Sequence, residues 1–147
     1  MRVVAVDPGD KRIGIAVSDP TGTISRPLDV IIHQSRAKDA ERIIAIADEI
    51  GAKLIVVGWA LDAYGEVGHS ARKSKRLADV IREKCNIEVE MWDESGTTQE
   101  AIQSRIAMGV SRKNRSGHLD DVAASILLQD FLIQNESLVK NSKDDHG

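Results

Sequence analysis

A short apolar run near the start of the chain, VVAV at residues 3–6, ends abruptly at the carboxylate of Asp7. Because the run shows no polar alternation, it is typical of a strand that is covered on both faces, in the middle of a sheet. Pro8 and Gly9 then turn the chain, and residues 13–17 form a second apolar run. This spacing predicts a β-hairpin with Asp7 at the end of its first strand. Taken alone, Asp7 is equally well explained as a turn cap.

Turn signals and apolar periodicity divide the rest of the chain into strands and helices. After the hairpin we predict a strand at residues 24–32 with Pro27 marking an edge or bulge, a helix from 38 to 50, a strand at 54–57, a helix at 70–84, a strand at 87–92, and helices at 97–108 and 119–134. Short turns make the first three strands antiparallel, and helical crossovers make the later two parallel to the first. We therefore predict one α/β domain at residues 1–135 and a flexible tail at 136–147.

The composition is that of a globular domain rather than of a membrane or disulfide-rich protein. Of the 147 residues, 41% are apolar and 29% are charged, which is ordinary for a single globular domain. No apolar run approaches the roughly 20 residues that a membrane span requires. We therefore expect a cytoplasmic protein with no membrane partner. The one cysteine, Cys85, leaves no internal disulfide to form.

The charge distribution limits how this chain can bind nucleic acid. A formal net charge of −3 argues against a protein that coats nucleic acid by bulk charge. Local groups of cations can still contact a phosphate backbone. The candidates are Lys11 and Arg12 in the first turn and Arg112, Lys113 and Arg115 in a later basic stretch. The alternative is that such cations, including the cluster at residues 72–76, are simply solvated.

Two further acids stand where predicted strands and helices end. Glu94 follows the fifth strand, and Asp120 opens the last helix on the same side as Ala124 and Leu127. Open α/β sheets place their sites at such ends, so Asp7, Glu94 and Asp120 are expected to converge. Each has a plain alternative, because an acid in the first turn of a helix is favourable by about 0.3–1 kcal/mol without any catalytic role, and Glu94 is otherwise a loop acid.

Converging carboxylates require a cation, since leaving them unpaired in a partly dry site is costly. Oxygen ligands select a hard ion, so Mg²⁺ or Mn²⁺ is the expected cofactor. Zinc is disfavoured because the four histidines and the lone cysteine show no ligand spacing. Ions held in this way activate water and stabilise the departing oxygen of a phosphodiester.

Four segments carry a resemblance to a known family. They are DPGDKRIGIAVSD at residues 7–19, LIVVGWALDAYGEVG at 54–68, DESGTTQEA at 93–101 and DDVAASILLQDFL at 120–132. In this order they resemble the YqgF/RuvX family of pre-16S rRNA nucleases, also called Holliday junction resolvase-like proteins. The resemblance implies a ribonuclease H-like fold, a five-stranded mixed sheet with helices on both faces, and metal-dependent cleavage that matures the 5′ end of small-subunit ribosomal RNA. It also implies Asp7, Glu94 and Asp120 as the metal-holding acids.

The chain departs from the family pattern at two places. Ser95 and Gly96 follow Glu94, where the family usually has an arginine and an aliphatic residue. Related junction resolvases carry their second acid on the fourth strand, where this chain has Gly58. The resemblance therefore places that role on Glu94.

The sequence leaves several functions open. The first is a nuclease acting on pre-rRNA or a ribosomal precursor particle, with Lys11 or Arg12 contacting phosphate. The second is a nuclease that resolves branched DNA, which requires a two-fold dimer for paired cuts. The third is a non-catalytic nucleic-acid-binding or ribosome-associated module. Nucleotide binding of the actin-like kind ranks last, since those proteins close two such domains around ATP. Monomer and homodimer both remain possible.

Overall fold

The computed structural model of the chain describes residues 1–60, 68–94 and 119–141, with 119–121 and 140–141 described for the backbone alone. The predicted helix at 97–108, the pair Ser95 and Gly96, and the cations Arg112, Lys113 and Arg115 lie outside these residues. The elements are β1 (Val3–Pro8), β2 (Arg12–Ser18), β3 (Ser25–Ile32), α1 (Arg36–Ile50), β4 (Leu54–Trp59), α2 (His69–Lys84), β5 (Glu88–Asp93), α3 (Leu119–Gln134) and α4 (Glu136–Asn141).

The five strands form one mixed sheet in the order β3-β2-β1-β4-β5. The hairpin partners β1 and β2, and then β2 and β3, pair antiparallel, whereas β4 pairs parallel with both β1 and β5. The predicted mixed sheet is confirmed, with β1 at its centre. Pro27 lies on the edge strand β3, where the register shifts opposite Ile15 and Ala16, so the predicted edge or bulge is also confirmed.

Helices cover both faces of the sheet because its central strands alternate two sets of apolar side chains. Val4 and Val6 belong to a core cluster with α1 and α2, while Val3 and Ala5 belong to a second cluster with α3. Successive side chains of a strand point to opposite faces. The alternation therefore continues to the end of β1, with Asp7 on the α3 face and Pro8 on the α1 and α2 face.

Local signals set the bounds of the helices on the first face. Ser35 caps α1 by accepting a hydrogen bond from Lys38 N at 3.2 Å, and Gly51 ends it in the left-handed conformation with φ 71°, as αL caps favour. The predicted helix at 70–84 is confirmed as α2, and its inner face is formed by the buried residues Ala71, Leu77, Ala78 and Ile81.

Polar contacts fix how α3 docks on the other face. Ser25 N donates to Gln129 Oε1 at 3.0 Å, and Gln129 Nε2 donates back to Thr23 O at 3.0 Å. Trp92 Nε1 donates to Asp130 Oδ2 at 2.9 Å. These bonds hold α3 against the edge strand β3 and against β5 at the same time.

The stretch predicted as a flexible tail from residue 136 begins instead with α4. Val139 of α4 is fully buried in the α3 cluster. A Cβ added at Gly22 would lie 2.1 Å from Val139 Cγ1, so α4 packs directly on the turn between β2 and β3. Residues 142–147 lie outside the described part. None of the described helices is long and apolar enough to span a membrane.

Candidate active site

Asp7 lies at the carboxyl end of the central strand. Its backbone pairs with Gly14 of β2, and the parallel pairing of β1 with β4 brings the carboxyl ends of these two strands to the same edge. Its side chain is partly buried and shares the face of the sheet that α3 covers. The predicted position of Asp7 at a hairpin end is confirmed.

Glu94 reaches this same place from β5. A Cβ built on Gly58 of β4 would lie 2.4 Å from Glu94 Oε1 and 2.6 Å from Leu127 Cδ2. The Glu94 carboxyl therefore lies directly over the backbone of Gly58, beneath α3. Position 58 has to be glycine for this arrangement, because any side chain there would occupy the space that the carboxyl fills.

The Asp7 and Glu94 side chains are in contact. Burial, a hydrogen bond to Asp7 and the charges of Asp7 and Asp93 together raise the pKa of Glu94 to about 9, and burial is the largest of these causes. Two carboxylates cannot share a hydrogen bond unless one of them carries a proton. Near neutral pH this proton resides on Glu94, so the pair carries about one negative charge in place of two.

Helix α3 directs its first turn toward this pair of acids. The later part of α3 lies at the opposite end of β1, because Val139 O of the following α4 is 3.5 Å from the amino group of Met1. Nearer the start of α3, the Leu127 side chain lies above Gly58. Asp120 lies in the first turn of α3, as predicted. Positions 120 and 127 are seven residues apart, which is close to two turns, so they share one side of the helix. The Asp120 side chain lies outside the described atoms.

The predicted cations divide into two groups. Lys11, in the turn after β1, and Arg12, the first residue of β2, are both exposed beside the carboxyl end of β1. Arg112, Lys113 and Arg115 lie outside the described residues, and their place relative to the acids stays a prediction.

Among the side chains that the structure describes, no three histidine, cysteine, aspartate or glutamate residues cluster in a way that could hold a metal ion. The two described acids nevertheless fit a hard cation. Their donors are all carboxylate oxygens, which Mg²⁺ and Mn²⁺ prefer, and Glu94 Oε1 is buried. The proton on Glu94 lowers the negative charge of the pair, and a bound cation would do the same in its place.

The role of Gly58 was not predicted from the sequence. It was noted there only as a missing acid, although a glycine that interrupts a run of apolar strand residues is a signal for close approach by another group. The contact between Trp92 and Asp130, which holds β5 under α3, had no signal of its own, because the two residues are far apart in sequence.

The chain is similar to known proteins over most of its length. The sequence profile of the family described as RuvX, Holliday junction resolvase, matches residues 1–134. The chain is 38% identical over 132 residues to a protein of Halothermothrix orenii, covering 90% of this chain and 94% of the relative. It is 39% identical over 134 residues to one of Geobacillus kaustophilus, covering 90% and 97%. Both relatives carry the name "Putative pre-16S rRNA nuclease".

Solved structures share the fold at low sequence identity. RuvC of Thermus thermophilus, in complex with a Holliday junction substrate, aligns with a TM-score of 0.60 and 16% identity over 91% of this chain and 95% of that one. The fowlpox virus Holliday junction resolvase aligns with a TM-score of 0.56 and 17% identity over 94% and 99%.

The strand order and the structural similarity to RuvC define the ribonuclease H-like fold class. The match to the family profile and the similarity to the two relatives identify a narrower group within that class. The chain belongs to the RuvX family.

Proposed function

We propose that this chain is a divalent-metal-dependent nuclease that matures the 5′ end of pre-16S rRNA. The observation that carries the proposal is the contact between Asp7 and Glu94, in which a partly buried Glu94 over Gly58 shares a proton with Asp7. Structural proteins rarely retain such a pair, because two adjacent carboxyls in a partly dry site are unfavourable without a compensating cation. A perturbed pair at a sheet end is typical of a site for chemistry.

Asp7, Glu94 and Asp120 would hold Mg²⁺ or Mn²⁺. When bound, such an ion supplies charge stabilisation for the phosphodiester and lowers the pKa of a coordinated water. The chain's own residues contribute the rest. Asp7 would be held in place by its strand, Glu94 would ligate the ion as a carboxylate after giving up its proton, and position 120 in the first turn of α3 would supply the third acid.

The proposed substrate is precursor rRNA, free or in a ribosomal precursor particle in the cytoplasm. The names of the two curated relatives support this choice. Lys11 and Arg12 would contact the phosphate backbone beside Asp7, because both are exposed there. Arg112, Lys113 and Arg115 are proposed as further contacts on the basis of their sequence position.

The test is cleavage of a pre-16S rRNA fragment with Mg²⁺ or Mn²⁺. Asp7→Asn and Glu94→Gln should each lower the rate by at least about 100-fold, the scale at which loss of one transition-state-stabilising group is usually felt. Asp48→Asn is the matched control, since Asp48 is an exposed acid on α1. For Asp120→Asn the control is Asp121→Asn, one position away on α3. A folded Asp7→Asn variant that cleaves at the wild-type rate would refute the proposal.

A second candidate is resolution of four-way DNA junctions. It is favoured by the family description and by the fold of RuvC. Paired cuts require a two-fold dimer, so light scattering together with a junction-cleavage assay separates the two functions. A monomer that cleaves pre-rRNA and leaves junctions intact supports the first. Binding that is equal with and without Mg²⁺, with no cleavage of either substrate, would instead indicate a non-catalytic module.

A further inference from the structure

A cavity of about 250 Å³ lies beside the same hairpin turn, on the opposite face of the sheet from Asp7 and Glu94. Its walls come from the turn after β1, the end of β3, the start of α1 and the second turn of α2. The residues that matter to its chemistry are Pro8, Gly9, His33, Arg36, Asp39 and Lys73. Pro8 and Asp7 are consecutive residues of a strand, and their side chains point to opposite faces of the sheet. The cavity and the acids are therefore separated only by the thickness of the sheet.

The histidine in this cavity is held by a buried carboxylate. Asp39 is 2% exposed, and its Oδ1 accepts a hydrogen bond from Gln34 N at 3.0 Å. Its Oδ2 contacts His33 Nδ1. His33 keeps 38% of its side chain exposed. The ring is therefore fixed through Nδ1, and Nε2 is the nitrogen that remains for another partner.

Two further cations line the cavity. Arg36 is the first residue of α1, so its charge adds to the positive end of the helix dipole. Lys73 Nζ lies 3.0 Å from Asp10 Oδ1, but the Asp10 side chain is 90% exposed. An exposed ion pair of this kind contributes little to the stability of the protein. Lys73 can therefore leave Asp10 and bind a ligand at a small cost in free energy. Among the described residues of the wall, the buried acid is Asp39, and its carboxylate already contacts His33.

The chemistry of these walls matches a phosphate group. Arginine and lysine bind phosphate by charge and hydrogen bonding. A neutral or cationic ligand would gain nothing from two cations and a helix N-terminus. The cavity also lies at the same end of the sheet as the exposed Lys11 and Arg12, which would continue the cationic path around the turn.

We propose that this cavity binds a phosphodiester of the same nucleic-acid strand whose scissile phosphate lies at Asp7 and Glu94. The identity of the ligand as nucleic acid rests on the proposed function. A strand crossing the end of β1 would have one phosphate on the α3 face and another on the α1 and α2 face. The cavity then sets the register of the strand relative to the acids, with His33, Arg36 and Lys73 as positioning residues.

The experiment is an RNA-binding titration of the full chain in EDTA over a range of salt concentrations, so that cleavage plays no part. Lys73→Ala and Arg36→Ala should each weaken binding of single-stranded RNA by about 3- to 10-fold and reduce the slope of log K against log salt by about 0.7, the value for one lost phosphate contact. The matched control is Lys75→Ala. Lys75 is on the same helix, is 66% exposed and is paired with Asp79 at 3.6 Å, and its removal should leave the slope unchanged.

Three outcomes would overturn the proposal. One is a slope for Lys73→Ala and Arg36→Ala equal to that of the wild type. Another is an equal loss for Lys75→Ala, which would reduce the effect to general surface charge. The third is a loss confined to RNA with a 5′-phosphate and absent with a 5′-hydroxyl, which would assign the cavity to a terminal phosphate. Because the readout is binding, a chain that binds as expected but cleaves nothing would refute the nuclease proposal and leave the cavity in place.

An independent readout is the ring nitrogen of His33. In ¹⁵N NMR, the His33 Nε2 signal, assigned with His33→Gln, should shift on saturation with RNA and shift less in Lys73→Ala. A His33 signal that stays fixed while other histidine signals move would place the RNA elsewhere.

Discussion

Glu94 occupies its position because residue 58 has no side chain. The nearest atoms to a Cβ at Gly58 are both the ends of side chains, Glu94 Oε1 at 2.4 Å and Leu127 Cδ2 at 2.6 Å. Such atoms can move without breaking the fold. A substitution at residue 58 should therefore disturb the site far more than the stability of the protein.

We expect Gly58→Ala to lower cleavage of the precursor RNA by about 10- to 100-fold, the cost of a displacement near 1 Å in a catalytic group. The melting temperature should change by no more than a few degrees. Glu94→Asp introduced into Gly58→Ala shortens the acid by one methylene and should recover part of the rate. Leu127→Ala in the same background should not. Wild-type cleavage by Gly58→Ala would show that Glu94 is not held by this contact.

The raised pKa of Glu94 makes stability depend on pH. In the metal-free protein the folded state keeps a proton that the unfolded chain loses, between the usual pKa of 4.5 and about 9. Below pH 4.5 this proton makes its full contribution to the free energy of unfolding. The contribution is lost as the pH rises from 4.5 toward 9.

Glu94→Gln should remove this loss because the amide stays neutral. In EDTA it should be more stable than the wild type at pH 8 by about 1–3 kcal/mol, a range set by the solvent screening of a carboxyl that is not fully enclosed. Near pH 4.5 the two should unfold at nearly the same denaturant concentration. The control is Glu88→Gln, an exposed acid on the same strand. A parallel pH dependence of unfolding in Glu94→Gln and the wild type would contradict the assignment of the proton.

At the scale of elements, the docking of α3 decides whether position 120 meets the other acids. Gln129 joins this helix to the backbone of the β2–β3 turn and of β3 by two hydrogen bonds of 3.0 Å. Gln129 is 5% exposed, so its truncation would remove buried partners from the backbone groups of Ser25 and Thr23.

Gln129→Ala should lower the free energy of unfolding by about 1–3 kcal/mol, the usual cost of removing a partner from buried polar groups. Chemical denaturation measures the change. Gln134→Ala is the control, since Gln134 lies on the same helix and is exposed, and it should be within about 0.5 kcal/mol of the wild type. Equal stability of the two variants would mean that α3 is held by its apolar face alone.

The elements themselves were largely predictable from sequence, but their docking was not. A uniform apolar run indicated β1 as an interior strand, and turn signals and apolar periodicity indicated α1, α2 and β4, because each of these signals is local. The helix α4 was missed because its stability comes from burying Val139 against Gly22, a contact between residues far apart in the chain. The convergence of Asp7 and Glu94 was predictable because each follows a predicted strand. The space that Gly58 provides was not, because it depends on contacts between residues far apart in the chain.

At the scale of the whole molecule, the site is a junction between elements that fold as one unit. In the proposed site, Asp7 comes from the hairpin, Glu94 follows the far parallel strand β5, and position 120 comes from the helix α3. A cation that binds these residues only in the folded state stabilises the entire domain by mass action.

Mn²⁺ at about 100 times its dissociation constant should raise the free energy of unfolding by about 2.7 kcal/mol. The dissociation constant should fall between pH 6 and pH 8, because the cation must displace the proton on Glu94. Thermal unfolding with and without Mn²⁺, at constant ionic strength, measures both. Asp7→Asn should lose most of the stabilisation, and an equal gain in Asp7→Asn and the wild type would place the ion at another site.

The opposite orientation of Asp7 and Pro8 also restricts how this chain can change in length. Inserting one residue between Val4 and Asp7 would exchange the two faces of the strand end. The carboxylate would then enter the cavity beside His33, and the proline would face Glu94. Insertions in β1 are therefore expected to abolish both sites at once. The number of residues before Asp7 in this strand is as strictly specified as the aspartate itself.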